Sequence, residues 1–420
     1  MNYIKEISLK DNLYFIKLPN KTDKVYLDIL VKSGYVEETD KEFGMGHLLE
    51  HYLIRTLRNI EKPKRLEVEG SIGKEDMRFS LYSSLAEITE QGQDFINTIL
   101  KPEFTDKQAF QSEKEVLINE LYIKIGDLEN LLEQAVLTER VDKQCHYTRT
   151  REDQIENIKK IKLEDLEKYH QKFFTKGNIV FTLSAYQLKP QVIEEILSCI
   201  KKCKLVAKPV KHGLSKCKYS KFKIKLIKSN NHSKLNSLGI SFPIYNTKIR
   251  SAQRTSLRIL GHLLSNTLDG LLKELRVLGI YDLDYTKLVW RNMGMIYFYS
   301  FIPDEKILPF LKLFNQAIKE LKNKEISKKK LDELKKQVKE SDKNAFEDNL
   351  DRINWINYDL IYYGKVTPIK EDLKIIDKIT TQSLKAEANN IFKKEKVNVI
   401  IIGKNTNKVQ KDKIKKLLDF

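Results

Sequence analysis

Two histidines four residues apart, with a glutamate directly before the second, are the residues of this sequence best suited to chemistry. The stretch GMGHLLEHYLIRT, residues 44–56, places His47, Glu50 and His51 at positions i, i+3 and i+4. On a helix these positions share one face, so the two imidazoles could bind one metal ion. The carboxylate beside them could act as a base on water. The alternative is an accidental pattern on an amphipathic helix, because so short a motif proves little alone.

A third metal ligand must come from elsewhere in the chain. The stretch TDKQAFQSEKEVLINELYIKI, residues 105–125, is predicted to form a helix that begins with a capping box of Thr105 and Gln108. It carries Glu113 and Glu120, which are seven residues apart and therefore lie two turns along one helix face. Taken singly, each glutamate is also typical of a solvated helix face.

The elements that must position these side chains occur twice. Residues 158–183 align without gaps with residues 376–401, so that an apolar helix runs into a buried strand in both. The stretch GHLLEH at 46–51 is echoed by GHLLSN at 261–266. We therefore predict an α+β fold of two tandem homologous domains, each a mainly antiparallel sheet covered by helices.

The predicted domain boundaries follow from this repeat and from a lysine-rich stretch between its copies. They are 1–205 for the N-terminal domain, 206–220 for a basic linker and 221–420 for the C-terminal domain. Strands are predicted from β-branched and aromatic content at these positions: 12–18, 24–31, 77–85 and 178–185.

The second copy retains only part of the motif. His262 stands where His47 does, but Ser265 and Asn266 replace the glutamate and the second histidine. If the motif binds metal, only the first copy is expected to do so.

Composition argues against several other classes of protein. The net charge of +18 suggests nucleic acid or an anionic surface, but the lysines are spread along the chain without interleaved aromatics. We therefore expect no specific nucleic-acid partner, and no apolar run long enough for a membrane span or a signal sequence. The four cysteines, Cys145, Cys199, Cys203 and Cys217, fit neither a zinc ribbon nor a disulfide framework. Reduced thiols and a cytoplasmic location are the expectation.

Three stretches resemble the pitrilysin family of metallopeptidases, which includes the insulin-degrading enzyme and the mitochondrial processing peptidase. HxxEH is the inverted zincin (inverzincin) motif. VKSGYVEETDKEFGMGHLLEHYL (31–53) is similar to the family's segment that delivers the zinc motif. LKPEFTDKQAFQSEKEVLINEL (100–121) is similar to the helix that supplies the third ligand. ILGHLLSNTLDGLLKELRVLGIYDL (259–283) is similar to a second-domain segment that binds substrate.

This resemblance implies a role for each matching residue. One Zn²⁺ per chain would be bound by His47, His51 and Glu120, with Glu50 as the general base and Glu113 as a supporting carboxylate. Arg276 and Tyr281 match a substrate-binding pair, although about two residues are missing between them; Tyr285 is the alternative to Tyr281. The asparagine that usually precedes the substrate-pairing strand has no counterpart in GSIGKEDMRFSL, residues 70–81.

The resemblance also implies an activity and an assembly. The chain would be a zinc-dependent endopeptidase that hydrolyses peptides or small unfolded polypeptides inside a dimeric, clam-like chamber. The N-terminal domain would be catalytic, and the C-terminal domain would bind substrate without zinc. The partner would be an identical chain or a related subunit. The alternative is a non-catalytic or partner-dependent subunit of a peptidase heterodimer.

Overall fold

The computed structural model describes residues 3–8, 11–60, 66–210, 217–229, 235–245, 251–265, 270–404, 406 and 409–420. Within these ranges the strands are β1 Ile4–Ser8, β2 Leu13–Lys17, β3 Lys24–Val31, β4 Glu67–Ile72, β5 Met77–Ser84, β6 Ile179–Ala185, β7 Lys223–Lys228, β8 Asn236–Pro243, β9 Asp284–Val289, β10 Gly294–Ile302 and β11 Asn398–Gly403. The helices are α1 Met45–Arg58, α2 Ile88–Leu100, α3 Lys107–Gly126, α4 Leu128–Arg140, α5 Arg151–Ile158, α6 Leu163–Phe173, α7 Pro190–Lys202, α8 Ala252–Ser265, α9 Leu271–Val277, α10 Ile307–Asn323, α11 Lys328–Glu347, α12 Asn349–Tyr363, α13 Ile369–Asp377, α14 Thr381–Ile391 and α15 Lys411–Leu417.

The α+β class predicted from sequence is confirmed, and the two sheets have matching topology. The first sheet has the strand order β1-β2-β6-β3-β5-β4, and the second has the order β7-β11-β8-β10-β9. Beyond β1, each strand of the first sheet has a counterpart in the same place in the second. The pairing directions match as well, because β2–β6 and β7–β11 are parallel and the following pairs are antiparallel.

The chain folds as two compact units that are not contiguous in sequence. The first unit comprises residues 1–122, 151–214 and 343–368, and the second comprises 123–150, 215–342 and 369–420. The boundary between 214 and 215 falls inside the predicted linker 206–220, of which residues 211–216 lie outside the described residues. The contiguous domains predicted from sequence differ from these units by two exchanged segments, 123–150 and 343–368.

Each exchanged segment supplies a helix that packs on a sheet. In the first unit, Ile356 and Leu360 of α12 are buried against Ile16, Leu30 and Val180 of the strands. In the second unit, α4 packs on β8 and β11. There a Cβ atom on Gly239 of β8 would lie 2.9 Å from the Leu132 side chain of α4, so the close packing depends on this glycine. Burial of such apolar side chains contributes about 1.5–3 kcal/mol each to folding.

The cysteines differ from the sequence expectation. Cys145 and Cys217, both in the second unit, form a disulfide with a Cα–Cα distance of 5.0 Å, whereas Cys199 and Cys203 are free and buried. Spacing could not reveal this pair, because 72 residues separate its members. Pairing of Val141 with Tyr219 in a β-bridge brings the two segments together. Disulfides are typical of oxidising compartments. The cysteines therefore do not support the cytoplasmic location, which stays a prediction.

No helix in the described ranges has both the length and the apolar character that crossing a membrane requires.

Candidate metal centre

The helix that carries the motif is held at its first turn by a buried carboxylate. Gly44 precedes α1 with φ 97°, a left-handed conformation that favours glycine. The Glu38 side chain, which is fully buried, accepts hydrogen bonds from the backbone N–H of Gly44 at 2.9 Å and of Gly46 at 2.8 Å. A carboxylate at this end of a helix binds the otherwise unpaired N–H groups and is favoured by the helix dipole. Glu38 therefore fixes where α1 begins.

The predicted ligand face of α1 lies opposite an apolar stripe. Leu48, Leu49, Leu53 and Leu57 are buried in the core, which fixes the rotation of the helix about its axis. His47, Glu50 and His51 then share the remaining face, and one ligand atom from each lies within 4.8 Å of the others. His47 and Glu50 are only 7% and 8% exposed. The predicted spacing thus produces a compact, largely buried cluster.

Glu120 lies closer to the His51 imidazole than Glu50 does, and it also approaches the His47 imidazole. One of its carboxylate oxygens is 3.7 Å from His47 Nε2, and the other is 3.3 Å from His51 Nε2. The nearest Glu50 oxygen is 3.9 Å from His51 Nε2. Two imidazole nitrogens and one carboxylate that converge in this way form a donor set suited to zinc, with a fourth position left for water or substrate. The residues therefore fit the metal, and Glu120 is better placed than Glu50 to be the third ligand.

The outer nitrogens of both imidazoles have their own partners. His51 Nδ1 lies 3.2 Å from Glu113 Oε2, and Arg55 donates to the other oxygen of Glu113 at 2.8 Å. His47 Nδ1 lies 3.1 Å from the hydroxyl of Tyr35. Such contacts orient metal-binding histidines and fix which nitrogen faces the metal. They support Glu113 in its predicted role and add Tyr35, which sequence reasoning did not identify.

The charge of the cluster also suits a divalent cation. Burial opposes protonation of His51, but hydrogen bonds with Glu120 and Glu113 and the Glu50 charge outweigh it, so the pKa of His51 lies above its ordinary value. Arg55 pairs with Glu113, and Glu50 and Glu120 place two further carboxylates beside the two imidazoles. These carboxylates would attract a divalent cation, which would compete with a proton for His51.

Glu50 lies against the edge strand of the first sheet. The Cβ atom of any other residue at Gly70, in β4, would be only 2.0 Å from Glu50 Oε1. Because β4 is the edge strand and pairs with β5, no described strand pairs with its other side. The glycine therefore allows the carboxylate to approach an edge at which an extended peptide could pair.

The second unit brings Arg276 and Tyr281 together. The Arg276 guanidinium lies 5.3 Å from the centre of the Tyr281 ring, and the Tyr281 side chain is 80% exposed. Tyr285 instead packs against α8, and its hydroxyl donates to the Arg258 carbonyl at 3.3 Å. Of the two tyrosines left open by the sequence, Tyr281 is therefore the one whose hydroxyl is accessible beside Arg276.

Comparison with known proteins is consistent with this fold. The family model "Peptidase M16 inactive domain" matches residues 160–338. No curated protein matches the chain. A protease from Helicobacter pylori is similar with a TM-score of 0.81 and 16% identity, over 95% of this chain and 99% of the other.

Two further solved structures are similar. A peptidase M16 inactive domain from Pseudomonas fluorescens has a TM-score of 0.79 and 17% identity, over 95% of this chain and 98% of that one. A chain of complex III2 from Candida albicans has a TM-score of 0.80 and 12% identity, over 99% of both chains. The chain therefore has the fold of the M16 peptidases, and similarity at these identities establishes the fold alone.

Proposed function

We propose that the chain is a zinc-dependent endopeptidase that hydrolyses peptides or small unfolded polypeptides. One observation carries the proposal: the Nε2 atoms of His47 and His51 converge on the Glu120 carboxylate, 3.7 and 3.3 Å away. Glu50 lies on the same helix face with one oxygen within 4.8 Å of the imidazole donors. All four residues belong to the first unit, three of them on α1 and Glu120 on α3.

The chemistry divides between the metal and the side chains around it. Zinc bound by His47, His51 and Glu120 would polarise the scissile carbonyl and acidify water. Glu50 would accept the proton of the attacking water and deliver it to the leaving amine. The β4 edge would hold the peptide in an extended conformation beside Glu50 by backbone pairing. Glu113 and Tyr35 would hold the two imidazoles in the required orientation.

The substrate carbonyl would also need a positive partner as charge develops on its oxygen. Arg276 and Tyr281 are suited to this role by their exposure and mutual contact. Because they belong to the second unit, we propose that they act in an assembled chamber, formed by a second copy of this chain or by a related subunit.

The second candidate is a non-catalytic or partner-dependent subunit. The name of the matching family model, "Peptidase M16 inactive domain", and the similarity to a chain of complex III2 favour it. The matched range 160–338, however, begins after His47, Glu50, His51 and Glu120, so the word "inactive" describes a segment without these residues. The complete donor set favours the enzyme.

Hydrolysis of an unstructured fluorogenic peptide by the purified chain tests the proposal. A chelator should abolish turnover and zinc should restore it. Glu50→Gln should reduce turnover roughly 10²- to 10⁴-fold, the usual cost of losing a general base. Glu115→Gln, an exposed residue on α3, is the matched control and should retain the wild-type rate.

Three results would contradict catalysis by this site. The first is a Glu50→Gln variant that cleaves at nearly the wild-type rate, and the second is cleavage that the chelator does not affect. The third is a zinc-loaded chain that stays inactive with every related subunit offered, which would support the non-catalytic candidate. Activity that requires a second, related chain would instead identify a heterodimer.

A further inference from the structure

The second unit has basic residues in the place where the first unit has metal ligands. His47 and His51 are the third and seventh residues of α1, and Arg254 and Arg258 are the third and seventh residues of α8. Both helices follow the equivalent strand, β3 or β8, and both contact the edge strand of their sheet, β4 or β9. The i, i+4 histidines of α1 thus have as their counterpart an i, i+4 row of basic residues on α8.

Counting from the helix starts gives a different register from that of the GHLL echo. That echo pairs His47 with His262, whereas the helix positions pair His47 with Arg254, eight residues earlier. His262 continues the row of Arg254 and Arg258 at the next i+4 position, and Asn266 lies outside the described residues. One face of α8 therefore presents two guanidinium groups and an imidazole in a row.

A lysine on the neighbouring edge strand completes the cluster. Tyr285 and Val289 of β9 pack against the core of the second unit. Lys287 is two residues from each of them along the strand, so its side chain points to the same face. Burial, and then the charges of Arg258 and Arg254, lower the pKa of Lys287 to about 7, against a smaller opposite effect of Asp342. Because α8 packs on β9, the lysine lies on the strand face that the arginines approach, and their charges disfavour its protonation.

Within the described part of the chain, a single carboxylate accompanies these cations closely. Asp342 accepts a hydrogen bond from Arg258 Nη1 at 2.5 Å and is itself 6% exposed. The Nη1 atom of Arg254 is buried and has no hydrogen-bond partner among the described residues. Arg254, Arg258 and Lys287 supply three cationic groups against one carboxylate. Like charges held together in partial burial are costly unless something neutralises them.

We infer that Arg254, Arg258 and Lys287 form an oxyanion-binding site, the counterpart in the second unit of the metal centre in the first. Guanidinium groups bind phosphate and carboxylate through paired N–H donors, and an ammonium adds a point charge. Asp342 holds Arg258 in place, which leaves Arg254 and Lys287 as the groups with unused donors. The ligand would be a phosphate or carboxylate group, free or on a larger molecule. This inference does not depend on the peptidase activity.

Thermal unfolding and calorimetric titration of the full chain with inorganic phosphate test the inference. Phosphate should raise the melting temperature more than chloride does at equal ionic strength. Arg254→Met and Lys287→Met should each weaken phosphate affinity roughly 10- to 100-fold, as expected for loss of a charge-assisted hydrogen bond. Lys273→Met, which removes an exposed lysine of α9, should leave it unchanged. Lys287→Arg should restore most of the response.

Two further readouts separate binding from a structural role and identify the source of the oxyanion. Without phosphate, Lys287→Met should melt at a higher temperature than the wild type, because it removes an unneutralised charge. If a peptide with a free C-terminal carboxylate competes with phosphate and the same peptide with a C-terminal amide does not, the ligand is a carboxylate. If neither peptide competes, phosphate remains the ligand class. A wild-type response equal to that of chloride, or an unchanged phosphate affinity in Arg254→Met and Lys287→Met, would overturn the inference.

Discussion

Two helices with equivalent positions, α1 in the first unit and α8 in the second, face the edge strand of their sheets with opposite chemistry. On α1 the third and seventh residues are histidines, and Glu50 and Glu120 add negative charge. On α8 the same positions are arginines, and Lys287 adds positive charge. The strand at each edge matches its helix: Gly70 makes room for a carboxylate, whereas Lys287 extends a cation toward the helix face. Under the two proposals, one fold presents a cation-binding and an anion-binding version of a single location.

The largest effect is expected from filling the space at Gly70. A methyl group in Gly70→Ala would overlap Glu50 Oε1, which lies 2.0 Å from the Cβ position, so the carboxylate must move. We expect turnover to fall on the order of 10²-fold, as for a misplaced catalytic group, while zinc content stays unchanged. Steady-state kinetics beside metal analysis measure both. Gly126→Ala, where a Cβ meets nothing within 4 Å, is the matched control. Wild-type turnover in Gly70→Ala would show that Glu50 need not occupy this position.

The next effect concerns the carboxylate that orients His51. Glu113→Gln should lower zinc affinity about 10- to 100-fold, because the amide is a weaker partner for His51 Nδ1 and leaves Arg55 without its counter-charge. Competition with a chromogenic chelator measures the affinity. Glu115→Gln on the same helix should bind zinc as the wild type does. Equal affinities in the two variants would remove Glu113 from the metal centre.

The smallest effect is a change in how stability depends on pH, and it belongs to the second unit. The folded-state pKa of Lys287, about 7, lies below the unfolded value near 10.5, so the unfolded chain binds more protons between these values. The contribution of Lys287 to stability should therefore rise as pH increases from about 7 to about 10. Arg254, Arg258, His262 and Asp342 face this lysine.

Chemical denaturation of the wild type and Lys287→Met across this range provides the measurement. The variant should be the more stable protein near pH 7, and its advantage should shrink as pH rises. An advantage that is constant with pH would show that Lys287 is charged throughout, and would weaken the contrast between the two helices.

Periodicity and composition were sufficient for most of the elements that position the metal centre. The strand predicted at 24–31 has the bounds of β3, and the helix predicted at 105–125 is observed at Lys107–Gly126. Its start differs, because Asp106, rather than a capping box of Thr105 and Gln108, accepts the hydrogen bond from the Ala109 N–H. Several side chains compete for a helix N-terminus, and the sequence does not show which of them the loop brings into range.

Contacts between distant segments could not be predicted in the same way. Tyr35 and Glu38 support α1 from the loop before it, and only their polar character near a helix start offered a signal. The arginines of α8 were missed because the GHLL echo directed attention to His262 and not to the residues one and two turns before it. The loop before the helix has 13 residues ahead of α1 and 8 ahead of α8, a difference that an ungapped comparison cannot detect.

The zinc content of the purified chain tests the central claim, that the face of α1 is a metal centre, most directly. After dialysis against trace zinc, the wild type and Glu50→Gln should each hold one zinc per chain, whereas His51→Ala and Glu120→Gln should hold little or none, since an open catalytic site needs its three protein ligands. Full zinc occupancy in His51→Ala, or a wild type that holds no zinc under these conditions, would contradict it.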